Sequence, residues 1–200
     1  LEECFWARRK RFAAMMDLSS IARVEGPSLT LRLIQPEDAA YVHSLRNNPA
    51  YNTHLSTVTG TVDDQRTWIK DYKSREAHGQ EFYYVIERKD GTRCGLVRLY
   101  DIEAESFTWG SWILDENKPR KAALESAVLS FGIGFDVMER AVANVDVRLE
   151  NKHATSFYER LGMTETHRID GQIFFTYPRA RFDADKEAYH SILEQEERNA

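Results

Sequence analysis

The chain has 200 residues, 42% of them hydrophobic and 30% charged, with a net charge of −5. That length fills one α/β core, and the acidic balance excludes the broad basic face of a nucleic-acid binder. No apolar run reaches the roughly 18–20 residues of a membrane span. The two cysteines, Cys4 and Cys94, have neither disulfide-framework nor metal spacing, so a reducing, cytoplasmic setting without metal, membrane or nucleic-acid partners is expected.

Residues 1–26 stand apart as an N-terminal extension. Arg8, Arg9, Lys10 and Arg11 form a basic knot before Phe12–Met16, an apolar run too short for a secretory signal. Met15 or Met16 is a candidate start, which leaves open whether residues 1–15 belong to the natural protein. The folded part is expected from Leu29, where Leu29–Ile34 alternates as a strand. Pro36 opens a helix with Glu37 and Asp38 in its first turn, favourable to the helix dipole. That helix carries Tyr41, Val42 and Leu45 and ends before Pro49, and a loop runs on to Gly60. Thr61 and Asp64 form a capping box with Asp in place of Glu. They head a helix that carries Trp68, Ile69 and Tyr72 and stops near Gly79.

Glu81–Arg88 and Thr92–Tyr100 read as strands joined by an Asp90-Gly91 hairpin turn, with Gly95 marking a bulge. Ser106–Leu114 is the next strand. Alternation puts Phe107, Trp109, Ser111 and Ile113 on one face and Thr108, Gly110, Trp112 and Leu114 on the other. Leu124, Ala127, Val128, Phe131, Phe135 and Met138 recur at helical spacing over Lys118–Arg140. Gly132 and Gly134 weaken that helix by about 1 kcal/mol each relative to Ala, so tertiary packing must compensate. Ala143–Glu150 alternates as a strand, and the long helix should join it to 106–114 as a right-handed parallel crossover. Asn151 then caps a short helix with an apolar stripe of Ala154, Phe157, Tyr158 and Leu161, ending at Gly162. Thr164–Ile169 and Gln172–Tyr177 flank an Asp170-Gly171 turn, and Phe182–Glu197 reads as a polar terminal helix within a tail over 181–200.

The segment Asn151-Lys-His-Ala-Thr-Ser-Phe-Tyr-Glu-Arg-Leu-Gly-Met163 resembles the N-x-x-A-x-x-F-Y-E-x-x-G-[FM] signature of the GNAT superfamily of N-acetyltransferases. The element order is similar to that family over about residues 29–178. The resemblance implies an α/β fold over residues 27–180: a central mixed six- to seven-stranded sheet, flanked by helices and splayed between strands four and five, 106–114 and 143–150. It also implies acetyl-coenzyme A as co-substrate and a primary amine as acceptor. Gly95–Asp101 with Phe107–Ile113 looks like the branch that acetylates amino sugars on nucleotide carriers. A related branch acetylates protein N-termini, including those of ribosomal proteins. A non-catalytic acyl-coenzyme A sensor, a scaffold acting through its charged tails and a homodimer also remain open.

The chemistry distributes over four tasks. The departing thiolate needs a proton, and a phenol facing the sheet from a helix can supply it, a role worth roughly 10²–10⁴ in rate. The resemblance gives that role to Tyr158, whose place in the apolar stripe also fits a core aromatic. The pyrophosphate needs a helix N-terminus. Lys118-Pro-Arg-Lys-Ala-Ala123 aligns with the family's [QR]-x-x-G-x-[GA], so Lys118, Arg120, Lys121, Ala122, Ala123 and Leu124 are the expected cradle. Lys121 stands where the family has a Gly that lets phosphate approach the backbone closely.

The pantetheine amides should pair with the main chain of Trp112, Ile113 and Leu114 like an added strand. Asn151 either contacts the coenzyme or simply caps its helix. For the small-molecule acceptor, Arg46, His54, Arg98 and Trp109 are the candidates, with an Arg for phosphate and a ring for stacking. Trp109 in a central strand fits the core equally well. The general base is unassigned; Asp101, Glu103 and Glu105 cluster at one turn, with Glu103 the guess, and Glu125 and His54 lie elsewhere.

Overall fold

The computed structural model describes residues 19–54 and 59–195. The basic knot, Cys4 and the last residues of the expected terminal helix lie outside the described residues. The described chain forms a single sheet of eight strands in the order β1-β2-β3-β4-β5-β6-β8-β7. The strands are β1 (Arg23–Glu25), β2 (Leu29–Leu33), β3 (Phe82–Arg88), β4 (Arg93–Tyr100), β5 (Ser106–Leu114), β6 (Val142–Arg148), β7 (Thr164–Ile169) and β8 (Gln172–Pro178). The helices are α1 (Ser19–Ala22), α2 (Ala39–Asn47), α3 (Pro49–Asn52), α4 (Val62–Ala77), α5 (Ala122–Gly132), α6 (Lys152–Arg160) and α7 (Arg179–Glu194).

The expected six or seven strands become eight because β1 pairs antiparallel with β2. The folded part therefore begins before Leu29. The β1–β2 turn is tied to α5: Glu125 accepts from the backbone N–H of Ser28 at 2.8 Å and of Leu29 at 2.7 Å. The expected loop after Pro49 starts instead as the short α3, because Pro49 is pre-set for a first helical position and Asn48 accepts from Ala50 N–H. The Thr61/Asp64 capping box heads α4 as expected.

Two cores sandwich the sheet. On one face α5, α6 and α7 pack against β4, β5, β6 and β8, around Phe107, Trp109, Phe131, Phe135 and Tyr177. On the other, α2 and α4 cover the N-terminal strands around Val42, Ile69, Tyr72, Tyr83 and Leu96. On that second face the C-terminal strands stay open: Asn144, Asp146 and Arg148 of β6 are exposed between the buried Ala143, Val145 and Val147. The helix expected over 118–140 is shorter. It starts at Ala122 and gives way to a π-helical turn at Ile133–Val137. Gly134 has a reason to be Gly, since a Cβ there would lie 2.1 Å from the Phe107 ring. Its cost to the helix is the condition for close packing on β5.

The alternation expected for Ser106–Leu114 breaks at Ser111. That residue adopts φ +47°, and β5 places two residues, Ser111 and Trp112, between Gly110, opposite Arg98, and Ile113, opposite Leu96, where β4 has only Val97. Such a bulge reverses the faces of everything beyond it. Phe107 and Trp109 pack under α5, and so does Trp112, which alternation had put on the opposite face. Ile113 moves to the α2/α4 core. The bulge also turns β5 away from its parallel partner. β5 and β6 pair only through Ser106–Val142, Phe107–Ala143 and Thr108–Asn144; beyond that point the ladder stops.

Candidate active site

A cleft of about 730 Å³ opens where β5 and β6 part. Gly110, Ser111, Trp112, Ile113 and Leu114 form one wall, and Asp146, Val147 and Arg148 form the other. Asn151, Ala154, Phe157 and Tyr158 bring α6 to the back. Arg46, Ala50, Tyr51 and His54 close the opposite side. Two unpaired strand edges facing a cleft offer rows of backbone donors and acceptors to an extended ligand. A chain carrying amides, such as pantetheine, fits that geometry.

Trp112, Ile113, Leu114, Ala123, Asn151 and Tyr158, expected at the coenzyme, all line the cleft. Lys118, Arg120, Lys121, Ala122 and Leu124 do not. Ala122 is buried and Leu124 packs against the core. Lys121 has φ +59° and ψ 7°, the left-handed conformation for which Gly is the usual choice. The backbone thus keeps the shape of a glycine turn while the side chain goes elsewhere: Nζ donates to the carbonyl of Ile192 in α7 at 2.6 Å. The Lys121 charge is spent on the terminal helix. The head of α5 also carries first-turn N–H groups without intrahelical acceptors, of which that of Ala122 donates to Pro119 O.

The two open readings of Asn151 and of Tyr158 merge. Asn151 Oδ1 accepts from Ala154 N–H at 3.2 Å, so the residue caps α6 while lining the cleft. Tyr158 sets its ring edge-on to Trp109 and Phe175, at centroid distances of 6.0 and 5.8 Å, and also lines the cleft. Burial first, and the charge of Asp146 second, push its phenol well above the ordinary range. It therefore stays protonated at any pH near neutral, as a proton donor must.

Of the acceptor candidates, Arg46 and His54 line the cleft. Trp109 does not. It is fully buried, donates from Nε1 to Ser130 Oγ at 2.8 Å and stacks on Phe131 at 4.9 Å. An indole satisfied by a helix hydroxyl inside the core has no free face for a ligand. Arg98 also falls short of the lining. It is ion-paired with Glu81, which also holds Arg75, and its guanidinium lies 5.0 Å from the Tyr100 ring centroid and 5.4 Å from that of Trp68. Tyr100, not Arg98, reaches the cleft; burial pushes its phenol up to about 12.

The carboxylates suggested at the 101–105 turn stay outside. Glu103 is exposed, its backbone N–H donates to Ser106 O, and none of the three lines the cleft. Glu125 is engaged by the β1–β2 turn. Asp146 also lines the cleft, although nothing in the sequence singles it out. Its position between two inward valines showed which face it takes, but not that this face is left open beside the cleft. Two hydrogen bonds tie the acceptor-side helices to the turn after β5. Tyr41 donates to Asp115 Oδ2 at 2.7 Å, and the Tyr51 hydroxyl accepts from Glu116 N–H at 3.2 Å.

Among the described residues no helix is long and apolar enough to cross a membrane, and no cluster of His, Cys, Asp or Glu could hold a metal ion.

Comparison with known proteins gives the family and the fold. Residues 28–164 match the family described as Acetyltransferase (GNAT) domain. A solved structure described as apo FdhC, a nucleotide-linked sugar GNAT, superposes with a TM-score of 0.79 at 36% identity, covering 86% of this chain and 98% of that one. The uncharacterized N-acetyltransferase YokL, derived from the SPbeta prophage of Bacillus subtilis, is 22% identical over 74% of this chain and 83% of its own length. The spermidine N-acetyltransferase of Vibrio cholerae, solved with CoA and spermine, shares the fold at a TM-score of 0.67 and 20% identity, over 78% of this chain and 99% of that one.

Proposed function

The chain belongs to the GNAT acetyltransferase family, and from that premise we propose that it moves the acetyl group of acetyl-coenzyme A to the primary amine of a nucleotide-linked amino sugar. The observation that carries the transfer is the parting of β5 and β6 with Tyr158 at the back of the gap. Bound there, the coenzyme supplies an acetyl thioester, whose carbonyl is open to attack by a neutral amine. The chain's residues do the rest. The free edges of β5 and β6 orient the carrier by its amides, at the main chain of Trp112, Ile113 and Leu114. The head of α5 at Ala123 faces its phosphates. Asn151 holds α6 in place, and Tyr158 gives a proton to sulfur as the carbon–sulfur bond breaks.

The acceptor class rests on two supports. The nucleotide-linked sugar GNAT is similar over nearly its whole length. The acceptor side of the cleft also presents Arg46 and His54, which suit the diphosphate of a nucleotide sugar better than the cationic arm of a polyamine. Thiol release from acetyl-coenzyme A tests this against three amines: a nucleoside-diphosphate-linked amino sugar, a peptide with an N-terminal alanine, and spermidine. Preference for the first is expected. Preference for the peptide would replace the acceptor class by a protein N-terminus. Tight binding of acetyl-coenzyme A with no release for any amine would turn the reading to a sensor domain.

A further inference from the structure

The cleft holds a single carboxyl group among its described lining residues, Asp146, and the functions assigned above leave it unused. We propose that Asp146 binds the ammonium of the acceptor and takes its proton, making it the catalytic base of the transfer. This rests on the acetyltransferase reading and adds to it the group that readies the nucleophile.

Three observations converge. The first is place. The β5–β6 ladder ends at Asn144, and Asp146 is the next residue of β6 on the same face, past the point where the strands part. Its charge acts on the phenols of both Tyr158 and Tyr100, so a proton donor and a carboxylate flank one gap. The second is freedom. Asp146 is reachable from the cleft, and no Lys, Arg or His of the described residues pairs with it. Its facing groups are Tyr100 from β4, Tyr158 from α6, and Arg46 and His54 from the opposite side, with Arg148 beside it on β6 and His153 and Arg160 further along α6. An unneutralised carboxylate among these is the natural seat for a primary ammonium. The third is basicity. Partial burial against the cleft wall raises the Asp146 carboxyl from its ordinary value, offset in part by its own backbone N–H. That narrows the gap to the amine whose proton it must accept.

The step balances. Asp146 takes one proton from the ammonium, and the freed nitrogen lone pair forms the carbon–nitrogen bond at the acetyl carbon. As the carbon–sulfur bond breaks, the sulfur keeps its electron pair and receives the Tyr158 proton. The second nitrogen proton restores Tyr158 through solvent, and Asp146 returns its proton to water. One proton is released per amide formed.

The test uses Asp146→Asn in the full chain, with the fastest of the three amines above, followed from about pH 6 to about pH 10. Calorimetry with coenzyme A should give the wild-type affinity, which shows that the variant folds. At neutral pH kcat/KM should fall about 10²-fold. Its rise with pH should move up to the acceptor's own ionisation, because only pre-neutralised amine still reacts. Calorimetry of the amine with the coenzyme A complex should show weaker binding below that ionisation, and Asp146→Glu should restore part of the rate. Wild-type kcat/KM and an unmoved pH profile in Asp146→Asn would overturn the assignment. Absence of thiol release in the wild-type protein itself would instead overturn the acetyltransferase reading beneath it.

Discussion

The two sides of the cleft are built from different material. The side proposed for the coenzyme is mainly backbone: the free edge of β5, the head of α5 and the capped start of α6. The side proposed for the acceptor is mainly side chains, lined by Arg46, Tyr51, His54, Tyr100, Asp146 and Arg148. A site made of backbone survives changes of side chain. Lys121 keeps the left-handed turn of a glycine while its ammonium bonds to α7. A site made of side chains is as specific as its residues, and acceptor choice should reside there.

That contrast can be sharpened by substitution. The largest effect should come from a residue that belongs to neither side. Trp109→Ala removes a buried ring stacked on Phe131, and should lower stability by about 3–5 kcal/mol in denaturant unfolding. If Trp109→Ala instead kept its stability and lost only acceptor affinity, Trp109 would belong to the acceptor side after all. Arg46→Ala should leave the coenzyme KM unchanged and raise the acceptor KM about tenfold, the loss of roughly one charge-assisted hydrogen bond. Equal rises in both constants would erase the division between the two sides. The smallest effect should be that of Lys121→Gly. It relieves a left-handed residue and loses one hydrogen bond, so stability should shift by no more than about 1 kcal/mol. The coenzyme KM should change less than about threefold, a bound set by the absence of the side chain from the lining. A large loss of coenzyme affinity would return Lys121 to the pyrophosphate.

The same contrast explains what the sequence disclosed. Start and stop signals are local, so Asn151 with Gly162, the Thr61/Asp64 box and the Asp90-Gly91 turn were readable, and with them the element order and the family. The bulge at Ser111 was not, because a serine at positive φ leaves no mark in composition or spacing. The faces of Trp112 and Ile113 were therefore assigned wrongly. The three-residue β1 was too short to register as a strand. Asp146 was missed for a different reason. Alternation along β6 says which residues point away from the core, but whether a helix covers that face depends on how far α2 and α4 extend. Trp109 and Arg98 illustrate the converse, since residue type favoured a binding role while packing committed one to the core and the other to Glu81.

In the proposed mechanism, the gap between β5 and β6 is where Tyr158 hands a proton to sulfur. Thiol release by Tyr158→Phe, measured beside calorimetry of coenzyme A, tests it most directly. Expected are unchanged coenzyme affinity, a kcat lowered by about 10²-fold or more, and, in the wild type, no alkaline fall in rate from Tyr158 up to the ordinary phenol range, since its phenol lies above that range. Full turnover by a well-folded Tyr158→Phe would contradict it.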